Sequence, residues 1–242
     1  MRTIGFCLIL LGAGLKAPPI LDARQVRCSD CRRPLDQFQP SRPLSDNREI
    51  CSVCVERAVL RYTQLSDLYE EARRLLYRFY RLPLPKDVDL HMVDDPNQLP
   101  GLEMESDGVF KRVGLFTTLK GDAHIYAVSG LLPEITFGVL AHELGHALAV
   151  GRRVHLDDLS FHEGFAEWLA WKTLIHAGPA YQPALDHFQR KNEFYRSALA
   201  RFQAHEEKYG TESVFRLVLP DYRLPSFSPE AEAAAEKART AR

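Results

Sequence analysis

No apolar stretch of this 242-residue chain is long enough to cross a bilayer. The most continuous one, residues 4–15, is well short of the ~20 residues a membrane helix needs, so no integral span is expected. Basic tracts and basic residues interleaved with aromatics are also missing. With 31 Lys and Arg against 32 Asp and Glu the formal net charge is −1, so nucleic acid is not an expected partner. Cysteine is scarce at 5 residues, and none lies near the histidine-bearing segment described next, so no thiol nucleophile is expected there. What remains is ordinary for a globular chain: 45% hydrophobic and 26% charged residues, enough for one catalytic domain and a small module.

Residues 139–147 read Val-Leu-Ala-His-Glu-Leu-Gly-His-Ala. On a helix, His142 and His146 project from one face, one turn apart, while Glu143 points to the side. Two imidazoles can hold a metal ion and a carboxylate can take the proton from its water, the arrangement a zinc hydrolase needs. The pattern arises by accident in roughly one chain in a hundred of this length, so the flanks decide. Phe137, Val139, Leu140, Leu144 and Leu148 recur at helical spacing beside the histidine face, putting that face at the edge of a core. Pro133 and Glu134 suit the first turn of this helix and Gly151 its end.

Upstream, residues 1–23 read as a signal peptide or as an apolar N-terminal segment buried as a strand. The first reading implies export or a periplasmic location, the second a cytoplasmic one. Residues 24–57 carry Cys28-x-x-Cys31 and Cys51-x-x-Cys54, the spacing of a zinc ribbon or LIM-like finger. Few large apolar side chains lie between the pairs, so a four-cysteine structural zinc, worth on the order of 10–16 kcal/mol in finger peptides, is expected to organise the module. Two disulfides are the alternative if the chain is exported. The module is also a candidate surface for a protein partner.

Residues 55–80 have helical periodicity, and a connecting helix is expected within 58–82, ended by Leu82-Pro83-Leu84-Pro85. Residues 83–224 form the main domain. Strands are expected at 87–92, 109–119 and 123–130, the last two joined by a turn at Lys120-Gly121-Asp122. The 123–130 strand, just before the metal helix, has two readings: by analogy with zinc peptidases, an edge strand beside the site where an extended peptide pairs, or a plain sheet strand. His91 and His124 read as strand histidines rather than ligands. Helices are expected at 160–176, 183–207 and 211–219, and residues 225–242 as a disordered Ala/Glu/Pro-rich tail.

A catalytic zinc needs a third protein ligand and an open position. The metzincin continuation is absent, because Ala149 and Arg152 occupy its positions. The downstream candidates are His155, His162, Glu163 and Glu167. Glu163 stands at the start of a second helix with sixteen residues between it and His146, the gluzincin arrangement. Glu167, one turn later, could instead hydrogen-bond a ligand histidine. Tyr181, His187, Tyr195 and Tyr222 are candidate oxyanion donors.

The His-Glu-Leu-Gly-His helix, the sixteen-residue gap and the following Glu-Gly-Phe-Ala-Glu-Trp resemble the peptidase domain of the DA-one family, LIM-containing peptidases with shorter bacterial relatives. The resemblance implies an α+β zincin-like metallopeptidase domain, a small sheet followed by active-site helices, behind a four-cysteine zinc module. It further implies two Zn2+ ions, one catalytic and one structural. His142, His146 and Glu163 would be ligands of the first, Glu143 the general base, and a peptide or protein the substrate. A full LIM domain offers eight ligands; this module offers four cysteines. Two other readings stand beside it: a zinc-binding interaction module or pseudopeptidase, and a SprT-like DNA-repair protease.

Overall fold

The computed structural model describes residues 26–35, 41–44, 47–100, 113–151, 158–188, 191, 193–226 and 230. The apolar segment 1–23, His155 and nearly all of the 225–242 tail lie outside them. The elements run in the order β1 (Ser41–Pro43), β2 (Glu49–Cys51), α1 (Ser52–Arg57), α2 (Tyr62–Tyr80), β3 (Val88–Val93), β4 (Gly114–Leu119), β5 (Asp122–Val128), α3 (Pro133–Gly151), α4 (Leu159–Ala177), α5 (Gln182–Phe188), α6 (Glu193–Tyr209) and α7 (Thr211–Arg216). Among the described residues this is an α+β fold: a three-stranded sheet, seven helices and a cysteine cluster beside a small β1–β2 hairpin.

The sheet order is β3-β5-β4, with β5 parallel to β3 and antiparallel to β4. The β4–β5 hairpin closes through Lys120 and Gly121, both at positive φ (54° and 99°), the two-residue turn whose twist suits flanking strands. Of the two readings of the 123–130 strand, the edge position does not hold and the plain sheet strand does: β5 is central. Its alternation buries Ile125 and Ala127 completely, and the most apolar strand gains most from neighbours on both sides. The edge strand beside α3 is β4, whose last residues Thr118 and Leu119 are exposed. One sheet face, carrying Leu90, Phe116, Ile125 and Ala127, packs into the main core with Phe137, Leu140, Ala141 and Leu144 of α3. The opposite face carries Asp89, His91, His124 and Tyr126.

The helical stretch expected over 55–80 is two helices. Between them Val59 gives its backbone to the turn before α3: its N–H donates to the Leu131 carbonyl at 2.9 Å, and its carbonyl accepts from Gly130 N–H at 2.8 Å. These bonds take the place of a continuous helical ladder, and Gln64 Oε1 restarts the helix by accepting from the Leu60 and Arg61 amides at 3.1 and 3.0 Å. The stretch expected as one helix over 183–207 is likewise two, α5 and α6. In the expected tail, Glu230 is docked: it accepts from the Tyr80 hydroxyl at 3.0 Å and lies 3.7 Å from Lys172 Nζ.

The cysteine module is seated on the turn that feeds α3. Leu132 packs into the cluster formed by Cys28, Ile50, Cys51, Cys54 and Ala58. Arg48 donates to the Ser129 carbonyl at 2.7 Å, and Arg57 reaches both oxygens of the buried Glu134 carboxylate at 3.0 Å. Gly130, at φ 78°, takes a backbone conformation that other residues rarely adopt, and a Cβ there would lie 2.5 Å from Leu44 Cδ1 and displace that side chain. Replacing Arg57 by Ala strands the Glu134 carboxylate. Urea unfolding of Arg57→Ala should show a loss of about 1–3 kcal/mol; unchanged stability would mean the two parts are not clamped through this pair.

Candidate metal centres

Helix α3 is apolar on nearly every face and sits between the sheet and α4, so its few polar side chains must find partners inside the protein. His142 and His146 meet with their Nε2 atoms 3.0 Å apart. Glu163, on the first turns of α4, brings Oε2 to 3.3 Å from His142 Nε2 and 3.6 Å from His146 Nε2. A tetrahedral ion with bonds of about 2.1 Å has ligand–ligand edges of about 3.4 Å. The three atoms therefore form a triangle of the right size to cap one ion. Glu163 Oε2 is buried and no donor is directed at it in hydrogen-bonding geometry, the condition of an atom placed for something other than a protein donor.

Two further carboxylates flank this triangle. Glu143 is 5% exposed, with one carboxylate oxygen within 4.8 Å of the histidine donors. Burial raises its pKa, and the two histidines and the nearby Phe116 backbone of β4 lower it; the net shift is upward. The strand comes this close because residue 114 is glycine: a Cβ there would lie 2.7 Å from Glu143 Oε1 and 2.4 Å from Val139 Cγ1. Glu167, one turn beyond Glu163 and 1% exposed, approaches His142 Nδ1 at 3.1 Å, though not along a hydrogen-bonding direction. It also pairs with Lys191, a cation the sequence reading missed because it lies 24 residues away beyond α5.

Burial works to lower the His142 pKa, but the Glu167 charge, the close approach of the Glu163 and Glu167 carboxylates and the Glu143 charge outweigh it, raising the value to about 10. Burial would raise Glu163, yet the two histidines beside it hold it far below the carboxylate range. Burial would also raise Glu167, which is lowered nonetheless, chiefly by Lys191 and then His142. Three carboxylates against one ammonium leave two excess negative charges when both histidines are neutral. A divalent cation cancels them and takes over the role of the His142 proton.

Of the other candidates, His162 is buried beside Phe161, ring centroids 6.0 Å apart. The Tyr181 hydroxyl donates to Glu71 at 3.3 Å and the Tyr222 hydroxyl to the Tyr80 carbonyl at 2.6 Å, so both are engaged away from the triangle. Tyr195 stands nearer, with Lys191 Nζ 5.6 Å from its ring centroid. His187 lies on α5.

The second centre gathers the sulfurs of Cys28, Cys31, Cys51 and Cys54 within 4.8 Å of one another, all as free thiols. Cys31 Sγ and Cys51 Sγ are 3.8 Å apart, far beyond a disulfide bond and close to the ~3.8 Å edge of a tetrahedron with 2.3 Å metal–thiolate bonds. Burial raises the Cys28 pKa, but amides of Cys51, Cys31 and Asp30 outweigh it and lower the value to about 7. Burial and the neighbouring sulfurs push Cys54 the other way. Four thiolates ionise together here only with a cation among them. The group could hold a metal ion, as could the donors around His142 and His146.

Comparison of the chain with protein families, curated proteins and solved structures finds no match.

The triangle depends on how closely α4 approaches α3. A Cβ on Gly145 would lie 2.8 Å from the Ala166 Cα, a backbone atom that cannot swing aside. Gly145→Ala should push the helices apart and weaken metal binding at His142, His146 and Glu163 by roughly 10–100-fold while the cysteine centre keeps its metal. Zinc titration monitored by calorimetry reads this directly, and wild-type affinity in the variant would refute it.

Proposed function

We propose that the protein is a zinc metallopeptidase of gluzincin type, with a zincin-like domain behind a four-cysteine zinc module, as the DA-one resemblance implies. The observation that carries this reading is the triangle of His142, His146 and Glu163 with a buried Glu143 at its side. Two imidazoles and the Glu163 carboxylate, with Glu143 acting on the water rather than binding the ion, are the donor set of a catalytic rather than a structural zinc.

Zinc bound at this site would supply Lewis acidity, bringing the pKa of a water from about 15.7 toward ~7. The protein's residues then divide the remaining work. Glu143 accepts the proton of the attacking water and delivers it to the departing amine. Glu143 is buried beside the two histidines, with a carboxylate oxygen within reach of a water held between them. Glu167 places its negative charge 3.1 Å behind the His142 ring, and Lys191 keeps Glu167 ionised although it is buried. Edge strand β4 supports an extended peptide as substrate, because backbone groups on its outer side could pair with one.

An interaction role for the cysteine module is favoured by one feature of its own. Val26 and Val53, both about half exposed, present apolar surface on a module that otherwise packs inward, which suits a protein partner.

Glu143→Gln is isosteric and lies outside the ligand triangle. It should retain wild-type zinc content and lose at least ~100-fold of hydrolysis on an unfolded protein such as casein. Glu163→Ala, as purified, should fall from two zinc ions per chain to one. Full activity in Glu143→Gln would sink the peptidase reading, and unchanged zinc in Glu163→Ala would sink the ligand set.

A further inference from the structure

We propose that Asp89, His91 and His124 form a third divalent-metal site, on the outer face of the sheet. The strands themselves assemble it. In the parallel β3–β5 pair Asp89 lies opposite His124, and His91, two residues along β3, points to the same face. Ile125 and Ala127 alternate with His124 and Tyr126 and point into the core. The trio is therefore on the side of the sheet away from α3 and shares no residue with the centre built on it.

The geometry fits a metal ion. His91 Nε2 and His124 Nδ1 face each other at 3.1 Å, and Asp89 Oδ2 is 3.5 Å from His124 Nδ1. All three donors lie within 4.8 Å of one another. These spacings bracket the ~3.4 Å edge expected for bonds of about 2.1 Å. The His91 ring is stacked on Tyr126, its partner on β5, with centroids 4.4 Å apart and planes at 16°, so its nitrogen is aimed before any ion arrives. Two facing imidazole nitrogens at this distance can share one proton but not two. A metal ion replaces that proton and also satisfies the carboxylate.

Donor chemistry selects the class of ion. Two imidazoles and one carboxylate favour Zn2+, Co2+ or Ni2+ over Ca2+ and Mg2+, which prefer oxygen. The side chain of His124 is 14% exposed and that of Asp89 68%. One side is thus open to water, and the ion is exchangeable, unlike one held by four thiolates. A bound ion staples β3 to β5, the strand that also holds β4.

The site does not rest on the peptidase reading. Untagged protein is dialysed against micromolar free Zn2+, and bound zinc is counted per chain. Wild type should hold three ions. His91→Gln and His124→Asn should each hold two, and Asp89→Asn should bind the third at least ~tenfold more weakly. Because Asp89 is exposed, its replacement leaves the core untouched. Counts and affinities equal to wild type in all three variants would overturn the proposal. If Glu163→Ala kept the full count while His124→Asn lost one ion, the outer site would stand and the ligand set on α3 and α4 would fall.

Discussion

Helix α4 lies against α3 more closely than ordinary side chains allow, and the candidate site depends on that approach. Gly145 admits the backbone of α4 at Ala166. On the far side of α4, Gly164 admits α6, where a Cβ would lie 2.8 Å from the Ala198 carbonyl oxygen and 2.7 Å from Phe202. Each glycine costs about 1 kcal/mol inside a helix. The contacts they permit bury Phe165, Trp168 and Leu169 fully and hold Glu163 where two histidines can share its Oε2.

That packing concentrates charge in a region that would otherwise reject it. Glu143, Glu163 and Glu167 stand around two imidazoles at the edge of an apolar core, with Lys191 as the balancing cation for Glu167. Unpaired buried carboxylates are costly, and the remaining charge calls for a divalent ion. A similar logic governs the cysteine cluster, where four sulfurs resist joint ionisation without a cation. The two centres are mechanically joined: Arg57, at the end of the helix that begins beside Cys51, grips Glu134 on the first turn of α3. The module thus serves as the footing of the helix that carries His142 and His146.

Features set by local periodicity could be read from the chain itself. The span of α3, the shared face of His142 and His146, the start of α4 near residue 160 and the strand at 88–93 follow from spacing of apolar residues and from Pro and Gly at the ends. Features set by contacts distant in sequence could not. The break after α1 exists because Val59 bonds to residues 130 and 131. The edge position of β4 depends on which strand is most deeply buried, and Gly114 matters only because Glu143 lies across from it. Lys191 carries no motif that would mark it as the partner of Glu167. His91 and His124 alternate as strand residues do, and only the register shows that they face each other.

The most direct test of the account is a crystal structure of the zinc-loaded protein with anomalous data at the zinc edge. The account predicts a peak about 2.1 Å from Nε2 of His142, Nε2 of His146 and Oε2 of Glu163, with Glu143 beside its open position and no fourth protein ligand. No peak there, or an ion closed off by a fourth side chain, would contradict it.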